Sequence, residues 1–399
     1  MKSAPGSSAG VVSATLALLC VLLWVRPFDR INYAMDAVVH AAPRWSQVET
    51  MYRDPRTQDV THGADPRTSL ETVRRYWQQE PSASKVMFIG NSQMLAMSLA
   101  PGEMPSPVPD KTYVDLLAQQ FNALPDNPVL IYRLAAPGMS YAEALWYLEY
   151  VICNPGLHPS GIVLQLNYQA FWTGAIRDSL DDLMDNACFR ARVHTIAASD
   201  AAYADDFQAA EKSYIHAHEQ NVPVNPDPSA IAFGPRLETA FRTNLQKTSL
   251  FQDGYIQKDD FAQMLYRLRL YVLQVKPSNA RSVTGPRLTK SQAALETIAQ
   301  RCADEHIRLV LFSAPVNPAV SLYSSDSDRT TYTGFVQKLA AEHQLPFFDL
   351  EHAIDGQYWG RQFNSADPLH IGRKGHELLA ADMAPVVRQA AVRKAASGE

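Results

Sequence analysis

Cysteine is scarce in this chain: four occur among 399 residues, and none stands in a C-x-x-C pair. That spacing is what a zinc ribbon or a thioredoxin-like motif needs, so both are excluded. Cys20 lies in an apolar N-terminal run. Cys153 and Cys188 keep two readings, a disulfide if the domain faces an oxidising compartment and buried thiols if it does not. A cationic surplus is also missing. Lys and Arg number 36 against 41 Asp and Glu, a formal net charge of -5, so there is no electrostatic case for nucleic acid as partner. Glycine is sparse beside proline, 18 against 26, which favours stiff loops. No internal repeat or low-complexity tract occurs apart from a small-residue tail at each end. What is present is a hydrophobic content of 46%, normal for a packed core, and length enough for one large domain or two ordinary ones.

The longest apolar run is at the N-terminus. Residues 11–25 read VVSATLALLCVLLWV, and with Ala9 and Gly10 they approach the lower end of the roughly 17–25 residues that span a bilayer. Lys2 precedes the run and Arg26 and Arg30 follow it, which leaves orientation open. A cleaved signal peptide wants a small-x-small site after the run. Trp24-Val25-Arg26-Pro27 stands there instead, and Leu19 before Cys20 argues against a lipoprotein signal. The expectation is an uncleaved membrane anchor over 1–30, with the remainder extracytoplasmic, in the periplasm or at the cell surface. A stalk and entry helix occupy 31–80, helical from Ser69 to Gln79.

Short apolar runs then mark buried strands: Val86 to Ile89, Val129 to Tyr132, Ile162 to Leu166, Arg308 to Phe312 and Pro346 to Asp349. Helical patterns lie between them, over Tyr113 to Leu124, Tyr141 to Val151 and Gln292 to His306. Continuous apolar strands alternating with helices argue for a parallel sheet covered on both faces. One interval, about 172–288, breaks the rhythm and reads as a helical insertion, with helical spacing near Leu265 to Leu273.

Three segments carry the chemistry. The first strand ends in Ile89-Gly90-Asn91-Ser92-Gln93-Met94, which predicts a serine at a helix N-terminus, where free N–H groups gather. Alone, this is an ordinary N-cap serine. The second segment is Asp367-Pro368-Leu369-His370. A serine needs a base to become nucleophilic, and a carboxylate can hold that base in the right tautomer. The D-x-x-H spacing predicts one tight turn presenting both groups. The third concerns an oxyanion, which needs preorganised donors. Gly138 follows the second strand and Asn167 follows the third, so the Gly138 N–H, the Asn167 amide and the Ser92 N–H are the candidates.

Ser after strand one, Gly after strand two, Asn after strand three and Asp-x-x-His near the C-terminus form a block order that resembles the SGNH (GDSL-like) hydrolases. The resemblance covers about 85–379 without the insertion. It implies a flavodoxin-like three-layer α/β/α sandwich of about five parallel strands over 81–399. It also implies Ser92 as nucleophile, His370 as base, Asp367 as its orienting partner, and Ser92, Gly138 and Asn167 as oxyanion donors. No cofactor and no metal are implied. The family's first block usually reads G-D-S, and here it is Gly90-Asn91-Ser92; its third usually reads G-x-N-D, and here it is Gln165-Leu166-Asn167-Tyr168. Those departures bring the chain nearer to membrane-anchored envelope-modifying proteins, among them alginate and peptidoglycan O-acetyltransferases and the protein that passes D-alanine to teichoic acids. Such proteins imply a membrane-bound O-acyltransferase partner and a glycan or acyl-ester substrate.

The first expectation is therefore a membrane-anchored serine acyltransferase acting on envelope polysaccharide. An extracytoplasmic esterase is the alternative, and a non-catalytic scaffold on the same frame is the second. Other residues are set aside. Gly6-Ser7-Ser8-Ala9-Gly10 matches G-x-S-x-G with no strand leading into it. His216 and His218 lack further ligands for a metal. His376 reads as structural, and His343 and His352 have no partner legible in the sequence.

Overall fold

A computed structural model describes residues 51–53, 60–62, 66–95, 100–103, 111–122, 128–136, 138–172, 183–199, 282–362 and 365–391, with a few single positions between them. These residues belong to one compact unit, Gln47–Glu219 with Val275–Glu399. The expected anchor, Gly6 to Gly10, His216, His218 and Leu265 to Leu273 lie outside the described residues. Among the described residues no helix is long and apolar enough to cross a membrane.

The five apolar runs form one sheet: β1 Ser84–Gly90, β2 Val129–Ala135, β3 Gly161–Leu166, β4 Arg308–Ser313 and β5 Phe347–Asp349. All neighbours are parallel and the order is 2-1-3-4-5. Because side chains alternate along a strand, each strand feeds two cores. Val86 and Phe88 of β1 enter one cluster, and Met87 and Ile89 enter the other. Helices α1 Pro66–Gln79, α3 Tyr141–Ile152, α4 Ala187–Ser199, α5 Pro286–Asp304 and α6 Asp326–Glu342 serve the Met87 side. Helices α2 Tyr113–Asn122 and α7 Arg373–Ala391 serve the Phe88 side. The result is an α/β sandwich. Leu70, Val73 and Trp77 show why α1 docks: they share one face at helical spacing and all three are fully buried. Burying each such side chain stabilises by about 1.5–3 kcal/mol.

Local sequence explains the ends of these elements. Ser140 caps α3 in a reciprocal box, its hydroxyl accepting the Glu143 N–H while Glu143 accepts the Ser140 N–H. The start of α7 is capped from a distance: the Glu103 carboxylate accepts the N–H groups of Arg373 and Lys374, both at 3.1 Å. Within the expected insertion, α4 is described and is fastened to α3 twice. Cys153 and Cys188 form a disulfide. The fully buried Glu149 carboxylate pairs with Arg192 of α4 and, at 2.9 Å, with Arg301 of α5. A carboxylate so buried needs such partners, since alone its desolvation would cost several kcal/mol, roughly.

Two further strands, β6 Trp359–Gln362 and β7 Ser365–Ile371, pair antiparallel. Their register jumps: Arg361 faces Ala366 while Trp359 faces Ile371. Residues 367–370 therefore stand opposite the single residue Gly360 and bulge out of the ladder.

Candidate active site

In this parallel sheet the strand order reverses between β1 and β3, and ligands bind beyond the carboxyl ends of the strands there. Ser92 follows β1 and Asn167 follows β3. The strand runs straight through Gly90, where an added Cβ would lie 2.5 Å from both Gln165 Oε1 and Met94 Cε. Only glycine lets these side chains close over the strand end. Asn91 then caps the next turn, its Oδ1 accepting the Gln93 N–H at 3.0 Å.

That turn differs from the sequence expectation. Ser92–Met94 form a short 3₁₀ turn rather than the first turn of an α-helix. The reason lies beneath it: buried Arg133 on β2 donates to the Met94 carbonyl at 2.6 Å and to Thr112 Oγ1 at 2.8 Å, with the Asp115 carboxylate 3.5 Å away. That contact draws the end of the turn down onto β2. No helix macrodipole stands behind Ser92; its local N–H groups remain.

The D-x-x-H segment also differs, being the β7 bulge rather than a free turn. Asp367 Oδ1 accepts the N–H groups of Leu369 and His370, each at 3.0 Å, so the carboxylate folds its own bulge. Asn317 Nδ2 holds the Asp367 carbonyl at 2.9 Å.

The bulge meets the serine turn. His370 Nε2 lies 3.0 Å from Ser92 Oγ, and His370 Nδ1 lies 3.0 Å from Asp367 Oδ2. The Asp367 side chain is 3% exposed and that of His370 23%. Burial works to raise the Asp367 pKa, but the His370 contact and the two backbone N–H groups outweigh it and hold the carboxyl below its usual value. An ionised carboxylate only accepts, so the imidazole proton sits on Nδ1 and the Nε2 lone pair faces the serine hydroxyl. This arrangement can remove a proton from Ser92 as it attacks a carbonyl.

Beyond the end of β3 one buried donor stands without a partner among the described residues. Asn167 Oδ1 accepts the Gln169 N–H at 2.7 Å, while its buried Nδ2 has no partner among the described residues. Its backbone is clamped by one phenol: the Tyr141 hydroxyl accepts the Asn167 N–H at 2.9 Å and donates to the Asn167 carbonyl at 3.0 Å. Gly138 is exposed at φ +63°, a conformation that favours glycine. A small cavity, with room for about one water, is lined by Gly90, Asn91, Met139, Ser140 and Asn167, so the ends of β1, β2 and β3 share it.

Ser92, Asp367 and His370 are thus hydrogen-bonded together, and neighbours of Gly138 share a cavity wall with Asn167. Of the residues set aside, His376 is buried and accepts the Tyr113 N–H, His343 meets Glu296 at 2.8 Å, and His352 meets Arg329 at 3.3 Å. Sequence reasoning missed Gln93, Gln165, Arg133 and Asn317. Gln165 and Arg133 did leave a signal, as polar residues inside apolar strand runs.

No protein-family profile and no curated protein matches the chain. Solved structures do. The chain is similar to Axe2, an acetylxylan esterase from Geobacillus stearothermophilus, at 12% identity over 79% of this chain and 99% of that one, with a TM-score of 0.37. It is similar to the acetyl xylan esterase AlAXEase at 12% identity over 76% and 99% of the two chains, TM-score 0.38. It is likewise similar to LAE5, an alpha/beta hydrolase from the metagenome of Lake Arreo, Spain, at 12% identity over 76% and 94%, TM-score 0.36.

Proposed function

We propose that the protein is a serine-dependent acyl-transfer enzyme that works through an acyl-serine intermediate. One observation carries this: the unbroken chain from Asp367 Oδ2 through His370 to Ser92 Oγ, with both links at 3.0 Å. His370 takes the Ser92 proton as Oγ attacks an ester carbonyl. The Ser92 N–H, the Gly138 N–H and Asn167 Nδ2 receive the negative oxygen. His370 then protonates the leaving alcohol, and a second nucleophile, activated by the same imidazole, releases the acyl group.

When that nucleophile is water the protein is an esterase, and the partly exposed His370 and Ser92 support this reading. When it is a sugar hydroxyl the protein is an envelope acyltransferase fed by a membrane-bound O-acyltransferase. The apolar run over 11–25 supports delivery at a membrane. The Cys153–Cys188 disulfide supports an oxidising, extracytoplasmic location for either reading.

A fluorophosphonate probe tests the common step. The expected adduct maps to Ser92 and disappears in His370→Ala; a folded protein that takes no adduct is a binding scaffold instead. Supplying an acyl ester with and without a polysaccharide acceptor separates the two enzymes. Acylated polysaccharide marks a transferase, and free acid in unchanged yield marks an esterase.

A further inference from the structure

The Ser92 turn and the His370 bulge lie 278 residues apart in sequence, yet Oγ and Nε2 meet at hydrogen-bond distance. Contact between two side chains of partial exposure does not by itself hold a base in place. Beneath them runs a second connection made of two glutamines. Gln93, next to the serine, is fully buried, and Gln165 on β3 is 3% exposed. Gln93 Nε2 donates to the Leu369 carbonyl at 2.8 Å and to the Pro315 carbonyl at 3.1 Å. Gln165 Nε2 donates to Gln93 Oε1 at 2.9 Å, and Gln165 Oε1 accepts the Asn91 N–H at 2.9 Å.

The polarity of this chain has one solution. Two carbonyls at one end can only accept, so Gln93 must present its nitrogen there and its oxygen to Gln165. Gln165 must then present its nitrogen to Gln93, which leaves its oxygen for the Asn91 N–H, a group that can only donate. Every bond is oriented by fixed backbone groups at the ends. The bare Gly90 leaves the space that Gln165 occupies. The relay thus runs from the peptide N–H of the residue before Ser92 to the peptide carbonyl of the residue before His370, with β4's outgoing loop tied in at Pro315.

We propose that Gln93 and Gln165 are positioning residues, a paired-amide relay that holds the His370 bulge in line with the Ser92 turn. The inference deepens the acyl-serine reading and rests on it for its catalytic consequence. Neither glutamine touches the reacting atoms. A shift of about 1 Å in a reacting group can cost on the order of 100-fold in rate.

The test removes both amides at once. In Gln93→Leu/Gln165→Leu no orphaned amide side chain remains, while the Asn91 N–H and the Leu369 and Pro315 carbonyls lose these partners, so a thermal melt of each variant accompanies the assays. Three readouts are taken on the full chain: kcat and KM on 4-nitrophenyl acetate, the rate of fluorophosphonate labelling, and the imidazole nitrogen resonances of His370 by NMR. The expected result is a kcat and a labelling rate about 10- to 100-fold lower, an unchanged KM and displaced His370 resonances. Gln165→Met, which breaks both of that residue's links and keeps the side-chain length, gives the same readouts if the double variant does not fold. A folded variant with kcat, labelling and His370 resonances like those of the parent overturns the relay. A parent protein that never labels at Ser92, beside a variant whose His370 resonances still move, keeps the relay and discards the acyl-serine reading.

Discussion

Replacing Asp367 with asparagine changes few atoms and should abolish most of the activity. Asp367 Oδ1 accepts two backbone N–H groups at 3.0 Å, from Leu369 and His370. Those donors fix the orientation of the new amide, because only its oxygen can sit opposite them. The amide nitrogen then takes the place of Oδ2, 3.0 Å from His370 Nδ1. Facing a donor, Nδ1 must accept, so the imidazole proton moves to Nε2 and points at Ser92 Oγ. The base has become a donor. A wrong tautomer of this kind lowers kcat by about 10⁴-fold, or about 5 kcal/mol of barrier. The bulge keeps both backbone bonds, now to a neutral oxygen, so the cost in folding stability is about 1–2 kcal/mol. Asp367→Ala loses those bonds as well and should melt at a lower temperature than Asp367→Asn. The assay is steady-state hydrolysis of an aryl ester together with a thermal melt of each variant. An Asp367→Asn protein that stays folded and keeps more than a tenth of the parent kcat refutes the tautomer argument.

Asn167→Asp keeps the acceptor for the Gln169 N–H and loses the free donor, so kcat should fall by about 10²–10³-fold, and the buried carboxylate oxygen left without a partner should lower the melting temperature as well. Acid should destabilise the fold through two carboxylates. Burial works to raise both, yet the His370 contact and backbone N–H groups hold Asp367 low, and backbone N–H groups of Ala100, Lys374 and Arg373 hold Glu103 low. The unfolded chain therefore binds these protons first. Their stabilisation is complete above an ordinary carboxylate pKa of about 4 and is lost as the pH falls through the native values. Urea unfolding between pH 7 and pH 3 should show this, with a shallower acid limb in Glu103→Gln. Cys153→Ser/Cys188→Ser opens a cross-link between residues 35 apart. Chain entropy puts the loss near 4 kcal/mol, about what urea unfolding should read.

The sheet was legible because β1 to β4 are almost wholly buried and read as runs dominated by apolar residues, and the half-buried edge strand β5 still carries Phe347 and Phe348 as its signal. The triad residues were legible because a strand-end serine and a D-x-x-H pair are local patterns. The 3₁₀ form of the serine turn was not, since it depends on Arg133 reaching up from β2. The bulge was likewise hidden, because a register jump is a property of two strands rather than one. The glutamine relay joins four separated stretches, near residues 91, 165, 315 and 369, and no periodicity marks such a set.

The phenol that grips both peptide groups of Asn167 opens α3, whose cap, Ser140, comes two residues after Gly138. Helix, phenol and asparagine therefore travel together. If the serine turn flexes on its glutamines during a reaction, the two outer donors keep their mutual spacing. Selection or engineering can remove one donor by substituting Asn167, but can shift the wall that greets the developing charge only by moving a whole helix start.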